Sequence, residues 1–109
     1  MNGTKGRSGI ETLGGVKIMQ DITLDFTGCK YLYGVHMIFK EAFNFPEWYG
    51  MNLDALWDCL DDYCGENRRI YVRGMNHLLR EFGWYAEKIL EILERVHSEN
   101  PTVVFEIVS

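Results

Sequence analysis

Residues 46–65 of this chain read PEWYGMNLDALWDCLDDYCG, and this stretch sets an apolar helix face beside an acidic one. Asn52 is a favoured N-cap, so we expect the helix to occupy the next twelve residues and to end near Gly65. At 100° per residue, four apolar side chains share an arc of roughly 300° to 40°: Leu53, Leu56, Trp57 and Leu60. Four carboxylates share an arc of roughly 80° to 180°: Asp54, Asp58, Asp61 and Asp62. One face of the helix is therefore predicted to be core and the next to be acidic.

The acidic character extends beyond this helix. Residues 41–67 hold seven Asp or Glu and no Lys or Arg, whereas the rest of the chain sums to +2 within a formal net charge of −5. Like charges at i,i+3 and i,i+4 repel, and Asp61 and Asp62 lie toward the end of the helix where the dipole disfavours anions. This local conflict suggests a binding surface for a cationic partner. An ordinary solvated face is the alternative, since acidic runs are common on exposed helices.

Aromatic residues flank the acidic helix. Trp48 and Tyr49 are adjacent in the loop before it, and Tyr63 lies at its end. In a small domain each ring can belong either to the core or to a contact surface. Beside an acidic face, the loop pair has the composition of an interface hot spot.

Outward from this stretch, the pattern alternates between strands and helices. Ile22, Leu24 and Phe26 alternate with polar residues as in a strand that closes at Gly28. The remaining predicted elements are a helix over residues 31–44, a strand over 68–73, helices over 76–82 and 84–97, and a strand over 102–108. Strands separated by helices need crossover connections. The sequence therefore predicts an α/β fold with a small three-stranded parallel sheet packed with about four helices.

Composition limits the class of protein. The 109 residues are 47% hydrophobic and 25% charged, as in one soluble globular domain. We expect a flexible Gly-rich leader over residues 1–15 and a folded domain over residues 16–109. The acidic balance argues against direct nucleic-acid binding, and no apolar run of about 20 residues could span a membrane. Three cysteines without a C-x-x-C spacing favour a reducing, cytoplasmic setting, and a monomer without cofactors is expected.

Two kinds of chemistry receive little support from the sequence. Asp54, Asp58, Asp61 and Glu47 could approach Ca²⁺ or Mg²⁺, but side chains on one rigid helix do not wrap six oxygens around an ion. The three histidines are scattered, and none has a Ser or Cys nucleophile at a recognisable spacing. We therefore expect neither a metal site nor an enzyme.

Residues 46–60 closely resemble the signature of the barstar family of ribonuclease inhibitors, P-E-[aromatic]-Y-G-x-N-L-D-A-L-W-D-x-L. Weaker similarity extends over most of residues 22–109. The resemblance implies a three-stranded parallel sheet packed with helices. It also implies that the second helix and the loop before it block the basic, phosphate-binding cleft of a secreted ribonuclease and thereby protect the producing cell.

The resemblance assigns roles to individual positions. Trp48 and Tyr49 match the aromatic loop, Asp54 and Asp58 match the carboxylates that meet the enzyme's cations, and Trp57 matches a tryptophan between core and interface. Asp58 is the expected central contact, because its carboxylate would stand where a substrate phosphate sits.

The chain departs from the family pattern at several positions. Asp61 and Asp62 replace small neutral residues, Tyr63 replaces a tryptophan, and Arg95 stands where an additional acidic contact is usual. Glu94 and Glu99 are close enough in sequence to compensate. Such positions set specificity, so two functions stay open: inhibition of a ribonuclease, or immunity against another basic toxin or binding of another cationic protein.

Overall fold

The computed structural model describes residues 12–13, 16–17 and 20–108, with side chains described over 21–108. Its elements in chain order are β1 (Thr12–Leu13), β2 (Val16–Lys17), β3 (Gln20–Asp25), α1 (Leu32–Phe43), α2 (Leu53–Tyr63), β4 (Arg68–Arg73), α3 (Met75–Phe82), α4 (Trp84–Glu99) and β5 (Val103–Val108). β1 and β2 pair antiparallel as a separate ladder. Apart from β1, the predicted leader over residues 1–15 lies outside the described residues.

The three longer strands form one parallel sheet in the order β3-β4-β5. In its register Ile22 lies level with Ile70, and Ile70 with Phe105. Two helices connect each pair of neighbours, α1 and α2 before β4, and α3 and α4 after it. Neighbouring parallel strands need such crossovers, because the chain must return to the same edge of the sheet before the next strand begins. The predicted α/β fold, with three parallel strands and four helices in the described part of the chain, is confirmed.

Local sequence signals explain where the elements begin and end. The Asn52 side chain accepts a hydrogen bond from the Ala55 amide at 2.8 Å and so caps α2 as predicted. Asn44 ends α1 in the left-handed conformation. Gly74 joins β4 to α3 with φ of 82°, and a Cβ at that position would lie 2.6 Å from the backbone nitrogen of Thr27. Only glycine fits this close approach.

The core lies where the helices cover the sheet. Ile70 and Val72 on the central strand are fully buried, and the ring centroid of Phe26, directly after β3, lies 5.4 Å from that of Phe39 on α1. α2 packs against α1 and α4 and contributes Leu56 and Leu60, both fully buried. Truncating such a leucine to alanine costs about 2–5 kcal/mol. This anchoring of the apolar face fixes which face of α2 points outward.

Candidate protein-binding site

The loop between α1 and α2 has a defined backbone shape. The Tyr49 amide donates to the Pro46 carbonyl at 3.0 Å and closes a turn. Phe45 supports the turn, with its ring centroid 4.9 Å from that of Tyr49. Met51 takes a left-handed backbone conformation with φ of 56°, which costs a residue with a Cβ roughly 1–2 kcal/mol. Packing around the loop must therefore hold Met51 in place.

The aromatic residues of the site divide into exposed and buried rings. Trp48 is 68% exposed and Tyr63 is 40% exposed, so both can meet a partner. Tyr49 is only 5% exposed, and its ring packs between Phe45 and the imidazole of His36. The sequence left each loop ring open between core and contact surface; in the structure the turn at Pro46 sends Trp48 outward and Tyr49 into the core. Tyr49 therefore belongs to the core beneath the loop.

The acidic face of α2 points into solvent. Leu56, Cys59 and Leu60 are buried, whereas the four carboxylates are exposed: Asp54, Asp58, Asp61 and Asp62. No salt bridge joins them to a Lys or Arg within residues 21–108. Asp54 lies in the first turn of the helix, where the dipole favours an anion, and the last turn holds no basic residue. The face therefore presents negative charge that the described part of the molecule does not neutralise.

Trp57 marks the border between the acidic face and α4. It is half-buried, and the Arg95 guanidinium carbon lies 3.8 Å from its ring centroid, a cation–π contact. A groove of about 290 Å³ runs between the two helices, lined by Leu53, Asp54, Trp57, Lys88, Glu91, Ile92 and Arg95. The purely negative surface thus ends at Trp57, because the far side of the groove mixes Lys88 and Arg95 with Glu91.

The acidic residues expected on α4 lie on different sides of that helix. Glu99 is near Arg95, with Arg95 Nε 3.6 Å from Glu99 Oε2. Glu94 instead lines a groove between α4 and β5, so the structure does not bring it together with the α2 carboxylates. Glu91 and Lys88, which the sequence analysis did not assign to the site, line the groove beside Asp54. Their i,i+4 and i,i+7 spacing from Arg95 is the signal that could have grouped them with it.

His36 is a buried residue that sequence reasoning left out of the site. Its ring is 1% exposed, and its two nitrogens lie 2.6 Å from the Tyr49 hydroxyl and 2.7 Å from the Tyr85 hydroxyl. Burial lowers the pKa of His36 to about 4, so the imidazole is neutral at neutral pH. Burial also raises the pKa of both tyrosines, which stay protonated. The trio is therefore an uncharged hydrogen-bonded unit beneath the loop.

The described residues offer little to the chemistry of metals or thiolates. No three His, Cys, Asp or Glu side chains among them converge as a metal site. Burial raises the pKa of the Cys59 thiol, and the nearby charges of Asp62 and Asp58 raise it further, which disfavours the reactive thiolate. Within the same part of the chain, no helix is long and apolar enough to cross a membrane.

Comparison with known proteins places the chain in a family. The family described as Barstar (barnase inhibitor) matches residues 19–109. A protein of Bacillus subtilis (strain 168), named "Putative ribonuclease inhibitor YrdF", is 30% identical over 81 residues, which cover 74% of this chain and 89% of that protein. The chain belongs to the barstar family. Its members are inhibitors of ribonuclease rather than enzymes.

Proposed function

We propose that this protein is a cytoplasmic inhibitor, without enzymatic activity of its own, that blocks the basic active-site cleft of a secreted microbial ribonuclease. The observation that carries the proposal is the row of four exposed carboxylates on α2, unpaired within residues 21–108 and flanked by the exposed ring of Trp48. A cleft that binds RNA phosphates presents Arg, Lys or His side chains. These donate charge-assisted hydrogen bonds to carboxylates as they do to phosphates.

Within the proposed interface, Asp58 is central because it lies in the middle of the acidic face. Asp54 and Trp57 border the groove, Trp48 supplies apolar contact area, and Tyr63 extends the contact at the end of α2. Asp61 and Asp62 lie at the rim, where a charge changes the association rate more than the dissociation rate. Glu99 contributes only after its pairing with Arg95 is given up.

Titration into a microbial ribonuclease tests the proposal. RNA cleavage should fall to zero at one inhibitor per enzyme, while the protein alone should cleave no RNA. The ribonucleases of the source organism and basic toxins encoded beside this protein form the test set. If only a basic toxin without ribonuclease activity is bound, the second function, immunity against another cationic protein, replaces the first. If nothing in the set is bound, both functions fail.

A further inference from the structure

The buried imidazole of His36 joins two elements that contribute to the surface. Its Nδ1 lies 2.6 Å from the hydroxyl of Tyr49, which belongs to the loop, and its Nε2 lies 2.7 Å from the hydroxyl of Tyr85, which belongs to the first turn of α4. His36 itself lies on α1. One side chain therefore connects α1, the loop and α4 at a position 1% exposed to solvent.

We propose that His36 is a positioning residue that holds the loop at residues 46–51, and with it Trp48, through the hydroxyl of Tyr49. In neutral imidazole one nitrogen donates and the other accepts, so one tyrosine accepts from the ring and the other donates to it. The oxygen of each hydroxyl is thereby held in place. A buried ring nitrogen without its partner is costly, so the arrangement resists displacement of Tyr49.

The local structure shows why the hydroxyl of Tyr49 controls the loop. Among the described residues, the bond between Tyr49 and His36 is the side-chain hydrogen bond that joins residues 46–50 to α1. The Asn52 side chain also donates to the Gly50 carbonyl, but Asn52 is the adjoining N-cap of α2. The other contacts of the ring are aromatic packing, which is less directional. Trp48 directly precedes Tyr49 in the chain. Met51, at the end of the loop, has a strained left-handed backbone conformation. Without the hydroxyl, the loop can relax toward an unstrained backbone.

Amide hydrogen exchange in the free protein tests this without any partner. Tyr49→Phe removes the bond to the loop and keeps the ring, while Tyr85→Phe is the matched control that removes the other bond to the same imidazole. The Tyr49 amide, bonded to Pro46, reports opening of the loop, and the Ala86 amide, bonded to Gly83, reports opening at the start of α4. The Ile70 amide on the central strand reports global unfolding.

We expect Tyr49→Phe to raise exchange of the Tyr49 amide about tenfold or more relative to Ile70, with Ala86 little changed. Tyr85→Phe should leave the Tyr49 amide close to the parent rate, and His36→Gln should reproduce the effect of Tyr49→Phe. Equal changes at all three amides, or none at Tyr49, would overturn the proposal, because His36 would then be an ordinary core contact.

The consequence for binding rests on the proposed function, and the exchange measurement separates the two. If Tyr49→Phe loosens the loop and weakens ribonuclease inhibition about tenfold while Tyr85→Phe does not, positioning and function both stand. If the loop loosens without any loss of inhibition, His36 is still a positioning residue, but the proposal that the loop contributes to the interface is wrong.

Discussion

α2 and α4 pack side by side but arrange their charges in opposite ways. α4 mixes acids and bases, and Lys88 with Glu91 and Arg95 with Glu99 pair along the helix at 3.3 and 3.6 Å. α2 carries four carboxylates and no basic residue. Four of the six Asp, Glu, Lys and Arg side chains of α4 thus pair within the helix, whereas those of α2 repel one another and have no counter-charge among residues 21–108. Unbalanced charge, rather than acidity alone, distinguishes the candidate binding face.

The contrast in charge between α2 and α4 is tested most strongly at Asp58. Asp58→Ala should weaken binding of a basic ribonuclease by about 2–5 kcal/mol, the range for truncating one partner of a charge pair buried in an interface. Losses of binding free energy of this size are already known for complexes of inhibitors from this same family. The expectation specific to this chain is that truncating Asp58 causes such a loss. The fold should survive, because the substitution relieves repulsion within α2. Isothermal titration calorimetry measures the loss.

The matched control is Glu81→Ala, which removes the same charge from an exposed position on α3. Equal losses of affinity at Asp58 and Glu81 would mean that net charge, and no defined site on α2, governs binding. Glu91 is unsuitable as a control because it lines the groove beside Asp54.

His36, which links the loop before α2 to the start of α4, predicts a pH dependence of stability. Its pKa is lowered to about 4 by burial, so between that value and about 6.5 the unfolded chain binds more protons than the folded one. The free energy of unfolding should therefore fall as the pH drops through this window, by roughly 3 kcal/mol in total. The two groups that face the imidazole, Tyr49 and Tyr85, stay uncharged there because burial raises the pKa of each.

Urea denaturation at a series of pH values between about 4 and 7.5, which brackets the folded and unfolded pKa of His36, measures this loss. His36→Gln should be less stable than the parent near neutral pH but should show a flatter pH dependence. A parent and variant with parallel curves would assign the acid sensitivity to carboxylates instead.

Two tryptophans allow the loop to be compared with α4 directly. Trp48 in the loop and Trp84 at the start of α4 are 68% and 66% exposed. Trp48→Ala should weaken target binding by roughly 2 kcal/mol, as expected of an aromatic hot spot, whereas Trp84→Ala should leave affinity nearly unchanged. Surface plasmon resonance measures the affinity of both variants for the target. Similar losses would extend the interface to the start of α4.

The smallest expected effect concerns the two rim carboxylates. Replacing Asp61 and Asp62 together by asparagine should raise the free energy of unfolding by about 0.5 kcal/mol, because it removes repulsion with Asp58 and negative charge from the C-terminal end of α2. The same change should slow association at low salt and flatten its salt dependence.

Chemical denaturation and stopped-flow association across a salt series measure the two effects. Glu91→Gln on α4 should bring no comparable gain in stability, because it removes a charge that has a partner. If both helices are stabilised equally, the contrast between them is only one of net charge.

Much of the fold and part of the site were predictable from local pattern. The alternation around Leu24 and the helical spacing of Leu56 and Leu60 predicted the correct elements, because each pattern depends on the geometry of one segment. The cap at Asn52 and the exposed row from Asp54 to Asp62 followed for the same reason. In each case the feature depends on interactions between residues that are close together in the sequence.

Tertiary structure decided which of these residues meet. Helical periodicity gives the angle of a side chain about its own axis, but it does not say which neighbouring element lies in that direction. The sequence therefore did not separate Glu94 from Glu99, place Arg95 on Trp57, or send Tyr49 inward to a histidine 13 residues away. The sequence determined an acidic, aromatic helix with an apolar back. Long-range packing decided which rings and charges remain available to a partner.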